Sequence, residues 1–437
     1  MVMISGVAPY RRKLLLSYPE FWLWFIGETV SSLGTNVSVI AIPWLVLVIT
    51  HSALQSSLTI ALEFVPYLFF SVIAGAMADR WNRKSLLIWT NVLRALILFS
   101  LPLLYEARHL SMMDIYAASF LNAAISVWFN AAKSSVLPRV LPSDAIHQGN
   151  SLMQWGNAVA AMVGPTLGGA LMAVMPVAWA LSFDALSYLI AGLLVWFIKT
   201  PLQAARSSRD TRPDRSLVGL RFLLCDPMLR SSTFIMSISN FANFASFSIL
   251  VFYSRDVLHL SAGWTAVILG AFGAGLFVGS VGSSMVSDRF RSGSVMLTSR
   301  FLSLVPSLLF ATVASPYGLV IAAALNGVWM VLWNVQSASF RQLHVPDVIR
   351  GRVTSVHSML AWIMIPVGST VGGFLAQRFG CIVVFGMAVS LQGLNLILMW
   401  RSPLRKLGVK ATLPEGYRLV HVNGEPREAS GKAVKEI

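Results

Sequence analysis

Four ionisable side chains lie inside long apolar stretches of this 437-residue chain: Glu28, Glu63, Arg94 and Asp184. A charge in such surroundings is expensive, and marks a functional position by default. A carboxylate there can take up and release a proton or hold a cationic ligand. Glu28 is about 10 Å into its stretch at the helical rise, and Arg94 about 12 Å into another. Glu63 precedes Pro66 near the middle of a third, and Asp184 lies in the outer half of a fourth. Each also has a structural reading. Glu28 can bond to Ser31, Ser32 or a neighbouring helix, Glu63 can face a packing partner, and Asp184 and Arg94 can each belong to an interhelical pair. Other chemistries find little support. The seven histidines are isolated, without metal-ligand spacing. Two cysteines, Cys225 and Cys381, make neither a disulfide framework nor a thiolate cluster. There is no nucleophile–base arrangement and no G-x-x-x-x-G-K-[ST] phosphate loop. We expect no catalysis, no metal and no cofactor.

The elements that carry these residues follow from composition. Hydrophobic residues make up 56% of the chain and charged residues 12%, with a mean hydropathy of +0.70. Soluble domains hold about twice that share of charge. A disordered chain, a collagen-like chain and an ordinary soluble enzyme are excluded, and an integral membrane protein remains. Crossing the hydrocarbon core takes roughly 20 apolar residues. Twelve runs qualify: 21–48, 54–78, 86–105, 111–131, 153–175, 177–198, 232–253, 263–286, 294–313, 317–339, 355–377 and 382–400. They are continuous rather than alternating, which excludes a β-barrel.

The net charge of +15 reads as topology. With the N-terminus inside and the runs alternating, 28 of the 33 Lys and Arg fall in cytoplasmic segments. Only Arg108, Arg255 and Arg378 fall outside, and Arg94 and Arg300 lie within spans. This asymmetry predicts a multi-pass cell-membrane protein with both termini cytoplasmic, and argues against a nucleic-acid partner. The expected organisation is a cytoplasmic segment 1–20, a six-helix bundle 21–198, a polar linker 199–231 with a surface helix from Ser216 to Leu224, a second bundle 232–400 and a cytoplasmic tail 401–437.

The halves repeat at a nearly constant offset. Asp79 and Asp288 are 209 residues apart, Arg94 and Arg300 are 206 apart, and Pro142 and Pro346 are 204 apart. Gly164-Pro165-Thr-Leu-Gly168-Gly169 recurs as Gly368-Ser-Thr-Val-Gly372-Gly373, again at 204. A parallel duplication of six spans predicts an all-α membrane fold of two pseudo-symmetric six-helix bundles with a cavity between them.

Gly75-x-x-x-Asp79-Arg80-x-x-Arg83-Lys84, between the second and third runs, resembles the signature loop of the major facilitator superfamily. Gly164-Pro165-x-x-Gly168-Gly169 resembles the motif of that superfamily's antiporters. Phe129-Asn130-Ala-Ala-Lys133-Ser134, Leu137-Pro138-Arg139, Asn150-Ser151-Leu152, Phe183-Asp184-Ala185-Leu186-Ser187 and Pro346-Asp347-x-x-Arg350-Gly351-Arg352-Val353 narrow the likeness. Together they resemble the branch that holds the enterobactin exporter and the macrolide efflux proteins. The second copies depart from the pattern, with Ser284 where the first has Gly75 and Ser369 where it has Pro165. The fourth span lacks the arginine motif of many proton-coupled drug exporters.

The resemblance implies a monomeric secondary transporter working by alternating access, exporting a drug, siderophore or other secondary metabolite in exchange for protons. An importer or facilitator of the same fold is the alternative, and a non-transporting receptor or lipid scramblase a more distant one. Gly75, Asp79, Arg80, Arg83 and Lys84, with Asp288 and Arg289, are the implied cytoplasmic gate; the alternative is a simple positive anchor. Gly164, Pro165, Gly168 and Gly169 are the implied bend and close seam, since small residues let helix backbones approach; the alternative is generic helix packing. In this fold the first and fourth spans of each half line the cavity. That adds Asn122, Asn240, Asn243, Asn326, Trp329 and Trp333 to Glu28, Glu63, Asp184 and Arg94 as candidates for proton or substrate contact. Interfacial anchoring is the other reading of the tryptophans.

Overall fold

The computed structural model describes residues 17–142, 144–203, 216–409, 419–420 and 426–427. A lipid-embedded backbone has no water to bond to, so each span satisfies its own N–H and C=O groups as a helix. Among the described residues, twelve helices are long and apolar enough to cross a membrane. The first six are α1 Pro19–Thr50, α2 Ala53–Arg80, α3 Arg83–Glu106, α4 Met112–Lys133, α5 Ile146–Val174 and α6 Val177–Phe197. In the second half, α7 Pro227–Ser248 runs on through Leu250–Phe252 into a π-helical turn, Tyr253–Val257. It is followed by α8 Ala262–Arg289, α9 Ser292–Leu302 with its continuation Leu304–Thr312, and α10 Pro316–His344. Last come α11 Asp347–Trp362 with its continuation Met364–Phe379, and α12 Cys381–Arg401.

The helices outrun the apolar runs. α5 starts seven residues before its run and α11 eight before, because intrahelical hydrogen bonds continue through polar residues once the first turn has formed. The linker helix spans Ser216–Cys225. Ends are set locally. Ser111 and Asp114 form a reciprocal capping box at the start of α4. α1 stops at His51, whose φ of 52° is left-handed and whose N–H reaches back to the Leu47 carbonyl. A short antiparallel pair, Leu419–Val420 with Pro426–Arg427, lies in the tail.

By packing, the chain divides into two compact units, Met1–Ser208 with Ser254–Gly273, and Arg209–Tyr253 with Ala274–Ile437. In the first, α1 packs along α5 and α6, α2 along α4, and α3 along α4 and α6. Phe21, Trp24, Leu87, Phe129 and Val195 fill one end of its core, and Ile42, Leu45, Leu98, Ile115 and Leu181 another. In the second, α7 packs on α11 and α12, and α9 on α10 and α12. Its core is built on Met228, Ile235, Met296, Trp333, Phe340 and Val353. Large apolar side chains such as Phe69, Trp89, Leu96, Phe234 and Ile382 are exposed. This suits helices whose outer surface meets lipid rather than water.

Candidate functional site

In the first unit, α1 and α4 bring a carboxylate and an amine together. Glu28 is 6% exposed, and its Oε2 pairs with Nζ of Lys133, the last residue of α4. The same ammonium lies 5.9 Å from the Phe129 ring, which stacks on Trp24. By its position after the fourth apolar run, Lys133 is expected among the cytoplasmic loop charges. It is instead turned back along α4 to neutralise Glu28, the neighbouring-helix reading of that carboxylate.

Arg94 on α3 is the centre of a second group. Its Nε donates to Asn122 Oδ1 on α4 at 3.1 Å, and its guanidinium bonds the Tyr188 hydroxyl and lies over that ring at 3.9 Å. The Tyr188 hydroxyl also meets Thr35 Oγ1 on α1 at 2.9 Å. Asp184, one turn before Tyr188 on α6, accepts from Ser38 Oγ at 2.5 Å and Ser187 Oγ at 3.3 Å. Arg94 and Asp184 therefore lie in one polar cluster without forming a direct pair: Arg94 bonds Asn122 and Tyr188, and Asp184 bonds Ser38 and Ser187. The cluster needs α1 and α6 close together. A Cβ on Gly34 would run into the Ser187 and Asp184 side chains. Gly34→Val is expected to part the two helices and cost about 1–3 kcal/mol by overpacking. Thermal unfolding in detergent reads this; a midpoint equal to that of the parent chain would show that α6 yields freely.

Glu63 and Tyr67 lie one turn apart on α2. The Tyr67 hydroxyl accepts from Asn130 Nδ2 at 3.1 Å. Glu63 is half-buried, and among the described residues its carboxylate makes no hydrogen bond or ion pair.

The second unit contains a related arrangement. Arg300 on α9 donates to Ser239 Oγ on α7, Asn395 Nδ2 on α12 donates to the same oxygen at 2.9 Å, and the guanidinium lies over Trp333 at 4.5 Å. These positions repeat the first unit: Thr35 and Ser239 are 204 apart, Arg94 and Arg300 are 206, and Tyr188 and Asn395 are 207. Thr35, Tyr188, Ser239 and Asn395 were missed in the sequence, although the repeat offset already links them in pairs. Asn240 donates to the Ala361 carbonyl at 2.8 Å, and Trp333 is core, 1% exposed. Asn243, Asn326 and Trp329 are half-buried. Two buried pairs also escaped notice, His344 with Asp226 at 2.7 Å and His357 with Thr233 at 2.8 Å. Among the described residues, no group of three or more His, Cys, Asp or Glu could hold a metal ion.

Of the signature-loop residues, Lys84 donates to the Trp196 and Ile198 carbonyls at 2.8 and 2.7 Å, closing the C-terminal end of α6. The Arg83 N–H donates to Gln203 Oε1. Gly75, Asp79 and Arg80 lie in the last turns of α2 and Asp288 at the end of α8; their side chains lie outside the described ones. Arg289 is exposed. The glycines of α5 sit in close seams. Gly164 faces Leu33 and Asn36, Gly168 faces Val37 and Ile40, and Gly169 meets Ala262, Gly263 and Ala266 of α8. Pro165 lies inside the helix between them.

Comparison with known proteins bears on this arrangement. The profile of a family described as transmembrane secretion effector matches residues 4–426. The enterobactin exporter EntS of Citrobacter koseri is 22% identical over 391 residues, covering 89% of this chain and 91% of that protein. The multidrug efflux pump Tap of Mycolicibacterium fortuitum is 24% identical over 394 residues, covering 86% and 93%. Among solved structures, the nucleoside transporter NupG has a TM-score of 0.68 at 13% identity, over 87% of this chain and 97% of its own. The D-xylose-proton symporter has 0.65 at 14%, over 90% and 99%. These two likenesses concern the fold. With a family match running almost from end to end, the chain belongs to the transmembrane secretion effector family, and it is a transporter of the major facilitator type.

Proposed function

We propose that this chain is a secondary active exporter of a drug, siderophore or other secondary metabolite, working by alternating access and driven by exchange for protons. It would lie in the cell membrane with both termini cytoplasmic, a topology that the distribution of Lys and Arg supports. The likeness to EntS, an enterobactin exporter, and to Tap, a multidrug efflux pump, supports the direction. The observation that carries the coupling is Glu63, an acid in the second span that has no bonding partner among the described residues and stands near the arginine cluster of the same unit. Glu28 and Asp184 are already occupied by Lys133 and by serine hydroxyls. Glu63 is therefore the group left free to exchange a proton during the cycle.

The reading is tested with inverted membrane vesicles, an imposed proton gradient and a panel of siderophores, macrolides and cationic dyes. Uptake into the vesicles that collapses with an uncoupler is expected. Gradient-independent equilibration, or movement in the opposite sense, would make the chain a facilitator or an importer. The gate assigned to the signature loop gives a further prediction. Asp79→Ala is expected to abolish transport while the protein still reaches the membrane in normal amount, because the contacts of such a loop bias one access state. Flux at the parent rate in that variant would refute the gate.

A further inference from the structure

The buried arginines of the two units differ in one respect that bears on ligand binding. Arg94 shares its unit's interior with acids, Asp184 one turn from its partner Tyr188, and Glu63 on α2. At the local offsets, 207 between α6 and α12 and 209 between α2 and α8, Asp184 corresponds to Leu391 and Glu63 to Phe272. Between Asp226 and Glu415 the chain has only three other acids, Asp256, Asp288 and Asp347. Asp347 and Asp288 stand at helix ends, Asp256 pairs with His51 and Arg255, and Asp226 pairs with His344 while capping α7. Arg300 is 3% exposed and has no carboxylate partner among the described residues.

Its surroundings lack partners in a consistent way. Arg300 Nε is buried and makes no hydrogen bond, and neither does the indole N–H of Trp333 beneath it. The indole N–H of Trp329, one turn along α10, is in the same condition. On α12, Asn395 Oδ1 and, one turn away, Gln392 Oε1 are also unpaired. Ser239 Oγ accepts from both Arg300 and Asn395. Turning the Asn395 amide over lets the Ser239 hydroxyl donate to its oxygen, and the unpaired group becomes an NH2. A buried cation with an unpaired Nε and an unpaired indole N–H beneath it is the inverse of a carboxylate or halide, and isolated buried charges do not persist without a counterion.

We infer that the α7–α9–α10–α12 core of the second unit binds a small monovalent anion at Arg300, with the Trp333 indole N–H and the Asn395 amide as further donors. The chemistry required is a single negative charge with acceptor lone pairs, supplied by a free halide ion or by the carboxylate of a solute. The inference is independent of transport direction and of proton coupling.

The test is an anion titration of the full-length protein in lipid nanodiscs at constant ionic strength. Chloride or benzoate replaces a bulky organic anion, and thermal unfolding is the readout, since a ligand of the native state raises the midpoint by mass action. A saturable rise is expected, together with loss of the rise in Arg300→Gln. In Trp333→Phe, which keeps the ring and removes the N–H, the half-saturating concentration is expected to rise about tenfold, the scale of one hydrogen bond. Arg94→Gln is expected to retain the parent response. Saturation by chloride identifies a free ion, and saturation by benzoate alone identifies a carboxylate-bearing solute. If neither anion gives a saturable response, water satisfies the cluster and the inference falls. It falls equally if the response survives in both Arg300→Gln and Trp333→Phe. Should Arg300→Gln fail to fold, Trp333→Phe decides.

Discussion

Lys133→Ala is expected to destabilise the first unit by about 2–4 kcal/mol, toward the range for breaking a buried ion pair. The loss arises less from the attraction removed than from the charge left behind. Glu28 is nearly sealed between α1 and its neighbours, and without Lys133 its carboxylate has neither water nor a cation. Lys133 keeps about a third of its side chain exposed, which holds the effect below the maximum. Glu28→Gln combined with Lys133→Met removes both charges, and should recover most of the loss because an uncharged pair carries no comparable desolvation cost. The measurement is thermal unfolding in detergent of Lys133→Ala, and of Glu28→Gln, Lys133→Met and the double variant, these last three read as a double-mutant cycle. Additive effects, with the double variant as unstable as the sum of the singles, would show that the pair is not coupled in the membrane.

Glu63→Gln is expected to lower gradient-driven transport at least tenfold and to flatten its pH dependence, while counterflow of substrate without a gradient continues. The amide has the shape of the acid but cannot gain or lose a proton, so binding survives and coupling does not. Glu28→Gln serves as the comparison. Glu28 is held by Lys133, and its substitution is expected to change stability more than the pH profile. An unaltered pH profile in Glu63→Gln would move the proton site elsewhere, and an altered profile only in Glu28→Gln would assign it to the ion pair. Both predictions use the same contrast between an acid that has a partner and one that does not.

That contrast was not legible in the residues alone. Glu28 and Glu63 are both acids near prolines or serines in long apolar runs, and nothing in their spacing separates them. Lys133 is a similar case. A lysine at the end of a span can anchor it at the headgroups or turn back to a buried acid, and the sequence offers both. Asp184 and Arg94 read as members of interhelical pairs, and the partner that Arg94 meets on α6 is Tyr188, an aromatic residue with no charge to draw attention. Trp333 suited a cavity wall on composition, yet it is packed in the core under Arg300.

The sequence by itself determined the twelve crossings, the duplication and the membrane class. A backbone in lipid must bond internally, and a span must be long enough to cross, so length and apolarity suffice to locate each helix. The repeat offset relates Thr35 to Ser239 and Tyr188 to Asn395, but nothing in the sequence singles these four residues out. Only the tertiary structure decided which way each helix is turned about its axis, and hence which buried groups meet. A helix that is apolar on nearly every face carries little pattern to set that rotation. It is set by contacts between helices, such as Gly34 under Asp184 and Ser187, between residues far apart in the chain.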